Sequence, residues 1–337
     1  MALLEVENLR TSFRTDDGVV QAVDGVTFSV EKGQTLGIVG ESGSGKSVTC
    51  LTIMGLNDPN NTTIEGRAEF DGVDLLHSTG EDLRRLRGNR IAMIFQDPMT
   101  SLNPVKKIGW QLQEAVLVHH DVTRAEARAR AIAALESVRI PRAESRIDDY
   151  AHQFSGGMRQ RVMIAMALIN GPDIVIADEP TTALDVTTQA QILELINQLQ
   201  EERNMAVILI THDLGVVAEV ADDVIVMYGG QVVEQATVDE LFYRPRHPYS
   251  WGLLGSLPRI DVDVERLVQI PGQPPSLLHP PPGCRFHPRC TFAMDKCRTT
   301  VPPLDGSTQH LDRCFLDSTT KAREGARTVA SLSGAPT

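Results

Sequence analysis

The chain has 337 residues, enough for one substantial core with an appendage or for two modest domains. Hydrophobic residues make up 42% and charged residues 23%, as in an ordinary soluble globular protein, and no apolar run approaches the roughly 18 residues needed to span a bilayer. Lys and Arg total 32 against 44 Asp and Glu, a net charge of −12 that disfavours nonspecific adhesion to nucleic acid or anionic lipid.

The opening MALLEVENLR lacks a basic stretch followed by an apolar core, so no secretory signal is expected and a cytosolic location is the default. Up to about residue 100 the pattern is mostly strand and turn. Leu3 to Val6 alternates apolar and polar, Gly18 to Val30 reads as a hairpin arm, and Leu36 to Val39 reads as a short buried strand. Gly40-Glu-Ser-Gly-Ser-Gly-Lys46-Ser47 then matches the phosphate-loop pattern G-x-x-x-x-G-K-[ST], between that strand and a helix expected from Lys46 to about Leu56. Glycines in such a loop let successive N–H groups wrap phosphate oxygens. Lys46 places a positive charge at the β- and γ-phosphates, and the Ser47 hydroxyl suits Mg²⁺. The predicted nucleotide-contacting set is Gly40, Glu41, Ser42, Gly43, Ser44, Gly45, Lys46, Ser47 and Thr49.

Residues 91–95 form another strand candidate, ending at Gln96. From about Ile108 to Ile169 the period becomes helical. Thr123-x-x-Glu126 has the form of a capping box, followed by Ile132, Leu135 and Val138 at i, i+3 and i+6. Ser155-Gly156-Gly157 opens a helix that Asn170-Gly171-Pro172 stops. Unpaired N–H groups and the helix dipole favour an anion at such a start. With one phosphate site already at Gly40–Ser47, this second anion site needs another nucleotide to hold.

Ile174-Val-Ile-Ala-Asp178-Glu179 is a buried strand ending in two carboxylates. Adjacent strand residues point in opposite directions, so the two acids need different tasks: Asp178 in the Mg²⁺ shell, Glu179 as general base for the attacking water. Helix is expected over Thr187 to Glu202 and strand over Val207 to Ile210. Three single residues gain meaning from their order. Gln96 is placed to join the Mg²⁺ and water shell, and His212 is placed to reach the γ-phosphate. Asp185 follows the paired carboxylates, and an Asp there also serves commonly as a helix cap.

Beyond about residue 245 the texture changes. Six of the twelve residues from Pro271 to Pro282 are proline, which reads as an extended linker. Cys284, Cys290, Cys297 and Cys314 follow, separated by five, six and sixteen residues, while Cys50 sits on the phosphate-loop helix as a buried apolar residue. Disulfides are disfavoured in a cytosolic protein, and no C-x-x-C pair occurs. Tetrahedral zinc, an iron–sulfur cluster and four free thiols all stand open. The tail from Ser318 to Thr337 is small and polar, and is expected to be disordered.

In order and spacing, phosphate loop, Gln96, FSGGM, paired carboxylates, Asp185 and His212 resemble the ATP-binding subunits of ABC transporters over about residues 3–245. The resemblance implies an α/β fold: a RecA-like mixed sheet with an N-terminal antiparallel β subdomain and an inserted helical subdomain. The implied bounds are 1–250 for the nucleotide-binding domain, about 97–170 for the insert, and 251–317 for a Pro-rich, four-Cys extension ahead of the 318–337 tail. It also implies that Phe13 stacks on adenine, that Asp185 lies in a subunit-contact loop, and that Ser155, Gly156 and Gly157 face a nucleotide held by a partner. The usual signature is LSGGQ, so Phe154 and Met158 depart from it; the anion-binding residues are kept and activity is expected to survive.

His247-Pro-Tyr249, Ile270-Pro-Gly-Gln-Pro-Pro275 and Gly283-Cys284-Arg-Phe-His-Pro-Arg-Cys290 are similar to the C-terminal region of the oligopeptide/dipeptide importer ATPases, and Gln153–Ala167 to their D-type member. That implies ATP and Mg²⁺ as cofactors and a [4Fe–4S] cluster on the four cysteines. Implied partners are a homologous F-type ATPase, two transmembrane permease subunits and an extracytoplasmic substrate-binding protein, with no nucleic acid. The implied place is the cytoplasmic face of the membrane. Nickel, glutathione or another small solute remains an alternative cargo. A soluble ABC ATPase of repair or translation is disfavoured by the single cassette and the absence of a long coiled-coil insert.

Overall fold

The computed structural model describes residues 2–182, 184–257 and 270–333. They fall into two compact units: one takes in Glu31–Gln34 and His77–Ile210, the other Ala2–Val30, Thr35–Leu76 and Thr211–Thr337.

In the second, the phosphate-loop unit, an antiparallel sheet runs in the order Gly18–Glu31, Ala2–Thr15, Thr62–Phe70, Val73–Asp74. Along Ala2–Thr15 the buried positions change parity, from Leu4 and Val6 to Leu9 and Thr11. A bulge between Glu7 and Arg10 opposite Thr62–Phe70 inserts the extra residue, with Asn8 at φ 48°. Without it, Leu9 would face solvent. A second run of strands in this unit begins with Thr35–Val39, parallel to Asp223–Tyr228. Asp223–Tyr228 turns through Gly229-Gly230, both at positive φ, into antiparallel Gln231–Thr237. His310–Asp312 then pairs antiparallel with Gln231–Thr237. The Cys-rich extension therefore shares the unit and the sheet of the phosphate loop.

The helical unit has three parallel strands in the order Ala206–Thr211, Ile174–Asp178, Ile91–Ile94. They are buried on both faces, which accounts for their unbroken apolar sequences. Helices Ile108–Leu117, Arg124–Ser137 and Gly156–Leu168 pack on one another beside them. The Thr123/Glu126 capping box forms as the sequence anticipates. The core stripe behind it is Ala127, Ala131 and Leu135, with Ile132 only half-buried. Small alanines at i and i+4 allow the close approach.

The tail differs from expectation. Ser318–Ser333 is an α-helix, while residues 334–337 lie outside the described part of the chain. Asp317 accepts hydrogen bonds from the Thr320 amide and hydroxyl at its start. Lys321 Nζ lies 2.5 Å from Asp312 Oδ2, and Gly325 is buried against the Pro245 carbonyl. Polar anchors hold a helix that has little apolar surface to bury. The linker over Pro271–Pro282 has no regular structure, yet its Leu277 carbonyl accepts a bond from the Gln21 amide.

Candidate active site

Strand Thr35–Val39 delivers the loop Gly40–Ser47, and helix Lys46–Ile53 carries it away. Two glycines are required by contact. A Cβ on Gly40 would lie 2.2 Å from the Met227 carbonyl oxygen, and one on Gly45 2.4 Å from that of Ala22, both at positive φ. Gly45 precedes the helix in the left-handed region. Lys46 is buried, its ammonium donating to the carbonyls of Gly40 (2.8 Å) and Glu41 (3.1 Å). Ser42 and Gly43 are exposed and Ser47 is half-buried. The Ser44 hydroxyl is enclosed with no hydrogen-bond partner among the described residues.

Thr49, expected to contact nucleotide, is fully buried and donates its hydroxyl to the Gly45 carbonyl at 2.9 Å, so it braces the loop from behind. Phe13 is half-buried on the strand that reaches this helix through the Thr11–Thr52 hydroxyl contact of 3.0 Å. His212 is exposed, just before Asp213, which caps Leu214–Val220.

Glu41 has a role in the loop that its neighbours define. Its amide donates to the Tyr249 phenol oxygen at 2.8 Å, and its carboxylate receives Arg289 through bonds of 2.6 and 3.0 Å. Tyr249, Tyr228 and Phe286 pack ring to ring beneath, with centroids 4.6 to 5.4 Å apart. They join Val39, the residue before Gly40, in one core cluster.

In the helical unit, Asp178 ends its strand buried, while Glu179 is half-buried at φ 45°. The left-handed conformation costs a non-glycine residue about 1–2 kcal/mol. It turns the chain out of the sheet while the Glu179 amide still bonds to the Ile210 carbonyl at 2.9 Å. The Glu179 carboxylate accepts from Gln96 (3.0 Å) and from the Thr182 hydroxyl (2.8 Å). The structure therefore brings Gln96 and Glu179 together, and adds Thr182, which sequence reasoning missed. Its only signal was a hydroxyl three residues after the acid.

Ser155 caps helix Gly156–Leu168, accepting from the Met158 amide. Both Ser155 and Gly156 are exposed, and a Cβ at Gly156 would meet nothing. Gly157 is different: a Cβ there would lie 2.7 Å from the Thr188 methyl. Thr188 also donates its amide and hydroxyl to Asp185, which caps helix Val186–Arg203. These bonds hold the Asp185 carboxyl below the usual carboxylate range. Phe154 is buried with the Arg146 guanidinium 5.4 Å from its ring centroid. Its exchange for leucine is thus a matter of interior volume, remote from anion chemistry.

All four C-terminal cysteines are reduced and line one small pocket, together with Phe286, Phe292 and Phe315. Burial, with neighbouring thiols adding, pushes Cys290 up to about 11; burial also raises Cys314 to about 12 and Cys284 above its ordinary value. The soft donors converge, yet among the described residues no group of three or more His, Cys, Asp or Glu is arranged to hold a metal ion. The four cysteines expected to hold a [4Fe–4S] cluster thus line one pocket without forming a single-ion ligand set.

Residues 23–182 match the family model of the ABC transporter, and residues 233–297 that of the oligopeptide/dipeptide transporter C-terminal region. The oligopeptide transport ATP-binding protein OppD of Haemophilus influenzae is 51% identical over 94% of this chain and 98% of its own. OppD of Escherichia coli is 52% identical over 93% of each chain. The dipeptide transport ATP-binding protein DppD of Lactococcus lactis is 55% identical over 93% of this chain and 90% of its own. Among solved structures, the dimeric ATP-binding cassette MJ0796 in a post-hydrolysis state with ADP and Pi matches with a TM-score of 0.63. Its identity is 28%, over 70% of this chain and 98% of that one. CbiO1 from Clostridium perfringens matches with a TM-score of 0.60 at 30% identity, over 72% of this chain and 90% of that one. A likeness that continues past the cassette into the Cys-rich region has one explanation: the chain belongs to the ABC transporter family, in its oligopeptide/dipeptide branch of ATP-binding proteins.

Proposed function

We propose that the chain is the ATP-hydrolysing subunit of an importer that takes up di- and oligopeptides. The observation that carries this is the 51–55% identity to oligopeptide and dipeptide transport ATP-binding proteins over 93–94% of the chain. Similarity confined to the cassette would leave the cargo open; here it extends into the C-terminal region. No described helix is long and apolar enough to cross a membrane, so membrane work falls to partners. These are two permease subunits, reached at the cytoplasmic face, with an extracytoplasmic binding protein supplying peptide and a homologous F-type ATPase as the second cassette.

Each unit has its own task. In the phosphate-loop unit, the amides of Gly40–Ser47 cradle phosphate oxygens, Lys46 turns its ammonium to the β- and γ-phosphates, Ser47 offers a hydroxyl to Mg²⁺, Phe13 stacks on adenine, and His212 holds the γ-phosphate. Mg²⁺ bound with the nucleotide supplies charge neutralisation on the phosphates. In the helical unit, Asp178 offers an oxygen for the metal. Glu179 accepts a proton from the attacking water as its oxygen bonds to the γ-phosphorus and the bond to the bridging oxygen of ADP breaks. Gln96 and Thr182 orient that carboxylate. The exposed Ser155–Gly157 helix start receives the nucleotide of the partner ATPase, beside a loop that Asp185 holds by its cap.

Cys284, Cys290, Cys297 and Cys314 are the donors for a [4Fe–4S] cluster in this reading, supported by their shared pocket. Anaerobically purified protein is expected to contain iron and absorb broadly in the visible; iron-free, colourless protein would remove the cluster from the proposal.

The assigned chemistry is tested by Glu179→Gln in the assembled transporter. ATP binding is expected to persist while hydrolysis falls by about 10²–10⁴. Turnover close to wild type would overturn the role given to Glu179.

A further inference from the structure

The segment between Cys284 and Cys290 carries two arginines, and both run inward. The Arg289 side chain is 5% exposed, and five hydrogen bonds account for the five N–H donors of a guanidinium. Nη1 donates to Glu41 Oε2 (2.6 Å) and to the Tyr228 hydroxyl (3.3 Å); Nη2 donates to Glu41 Oε1 (3.0 Å) and the Ile270 carbonyl (3.2 Å); Nε donates to the Pro271 carbonyl (2.8 Å). A planar, fully satisfied fork has one orientation, and it fixes that of the carboxylate it grips.

Glu41, the second residue of the phosphate loop, is engaged at every polar group. Arg289 takes the carboxylate, the Tyr249 phenol oxygen takes the amide hydrogen, and the carbonyl accepts from Lys46 Nζ at 3.1 Å. The connection thus runs from the extension, through one residue, to the loop's own lysine. Arg285, 6% exposed, makes a second brace. It pairs with Asp24 at 2.7 Å and donates to the Gly229 carbonyl, and the next residue, Gly230, gives its amide to the Ser44 carbonyl at 2.9 Å.

We infer that Arg289 is a positioning residue of the nucleotide site: through Glu41 it sets the shape of the phosphate loop and the place of Lys46, so the Cys-rich extension is a working part of ATP binding. This rests on the reading of Gly40–Ser47 as the nucleotide loop. Lysine cannot replace Arg289 fully, because an ammonium has three donors and no fork.

The test is a titration of the full-length chain with a fluorescent N-methylanthraniloyl-ATP, paired with a thermal melt of each variant. Arg289→Gln and Glu41→Gln are each expected to weaken binding about tenfold. The double variant should be no weaker than the worse single, and Arg289→Lys should recover only part. Glu41→Gln keeps the residue's shape and so answers the question even if Arg289→Gln folds poorly. Affinities within twofold of wild type alongside a lowered Tm would reduce the pair to a structural clasp and overturn the inference, as would effects that simply add in the double variant. Lys46→Ala separates the two claims. If it binds as wild type, the nucleotide-loop reading itself falls; if it loses binding while Arg289→Gln and Glu41→Gln do not, only the inference falls.

Discussion

His247 is enclosed, 1% exposed, at the start of helix Pro248–Gly255. Its Nδ1 accepts from the Tyr249 amide, and it is bonded to the Arg313 backbone as well, the arrangement of a neutral imidazole. Burial lowers its pKa to about 4; Glu234 opposes that shift, while Lys321 and Arg313 reinforce it. In the unfolded chain it titrates near 6.5. Between these values the unfolded state binds the extra proton, so the contribution to stability is complete above about pH 6.5 and is lost as pH falls toward 4. By pH 5 the loss is about 2 kcal/mol. His247→Asn keeps a capping side chain and removes the titration. Between pH 7.5 and 5, the Tm of the wild type is expected to fall more steeply than that of the variant; parallel curves would show that His247 does not titrate on unfolding. The His-Pro-Tyr motif was legible as a marker, but its burial was not. A lone histidine before proline looks the same in a surface turn.

Elements defined by local pattern were legible, and those defined by what they dock against were not. The capping box at Thr123, the glycine stop at Gly171 and the apolar strands ending at Asp178 and Thr211 all carry their signals within a few residues. Helix Ser318–Ser333 carries only the cap of Asp317 with Thr320: its sequence is otherwise largely polar, and its attachment depends on Lys321 reaching Asp312 and on Gly325 fitting under Pro245. Lys321→Ala would leave Asp312, 5% exposed, without its countercharge. A loss of about 1–3 kcal/mol is expected. The check is a thermal melt with limited proteolysis, in which the C-terminal helix should be released earlier than in the wild type. Unchanged melting and cleavage would mean that Lys321 contributes nothing to docking.

At the scale of the molecule, the proposed function reads the exposed Ser155–Gly156 helix start and the phosphate loop as two anion sites on one chain. A chain that offers a second site for a nucleotide needs a second cassette to complete both. The isolated full-length chain is therefore expected to bind ATP yet hydrolyse it slowly, with turnover rising when the partner ATPase and permease subunits are added. Fast, concentration-independent hydrolysis by the chain alone would contradict the shared site.

By itself the sequence determined where the motifs of the proposed chemistry lie: the glycine-rich loop between strand and helix, the acids at a strand end, and the helix start at Ser155. Each depends on residues adjacent in the chain, so spacing and local geometry suffice to read it. Only the tertiary structure decided what supports that chemistry. Arg289 and Glu41 are 248 positions apart, and nothing near either one announces the other. An acid in a phosphate loop and an arginine beside a cysteine each look solvated until the fold removes water from around them. The desolvation that makes their pairing specific belongs to the folded chain, which is why the motifs that marked the site could not reveal its brace.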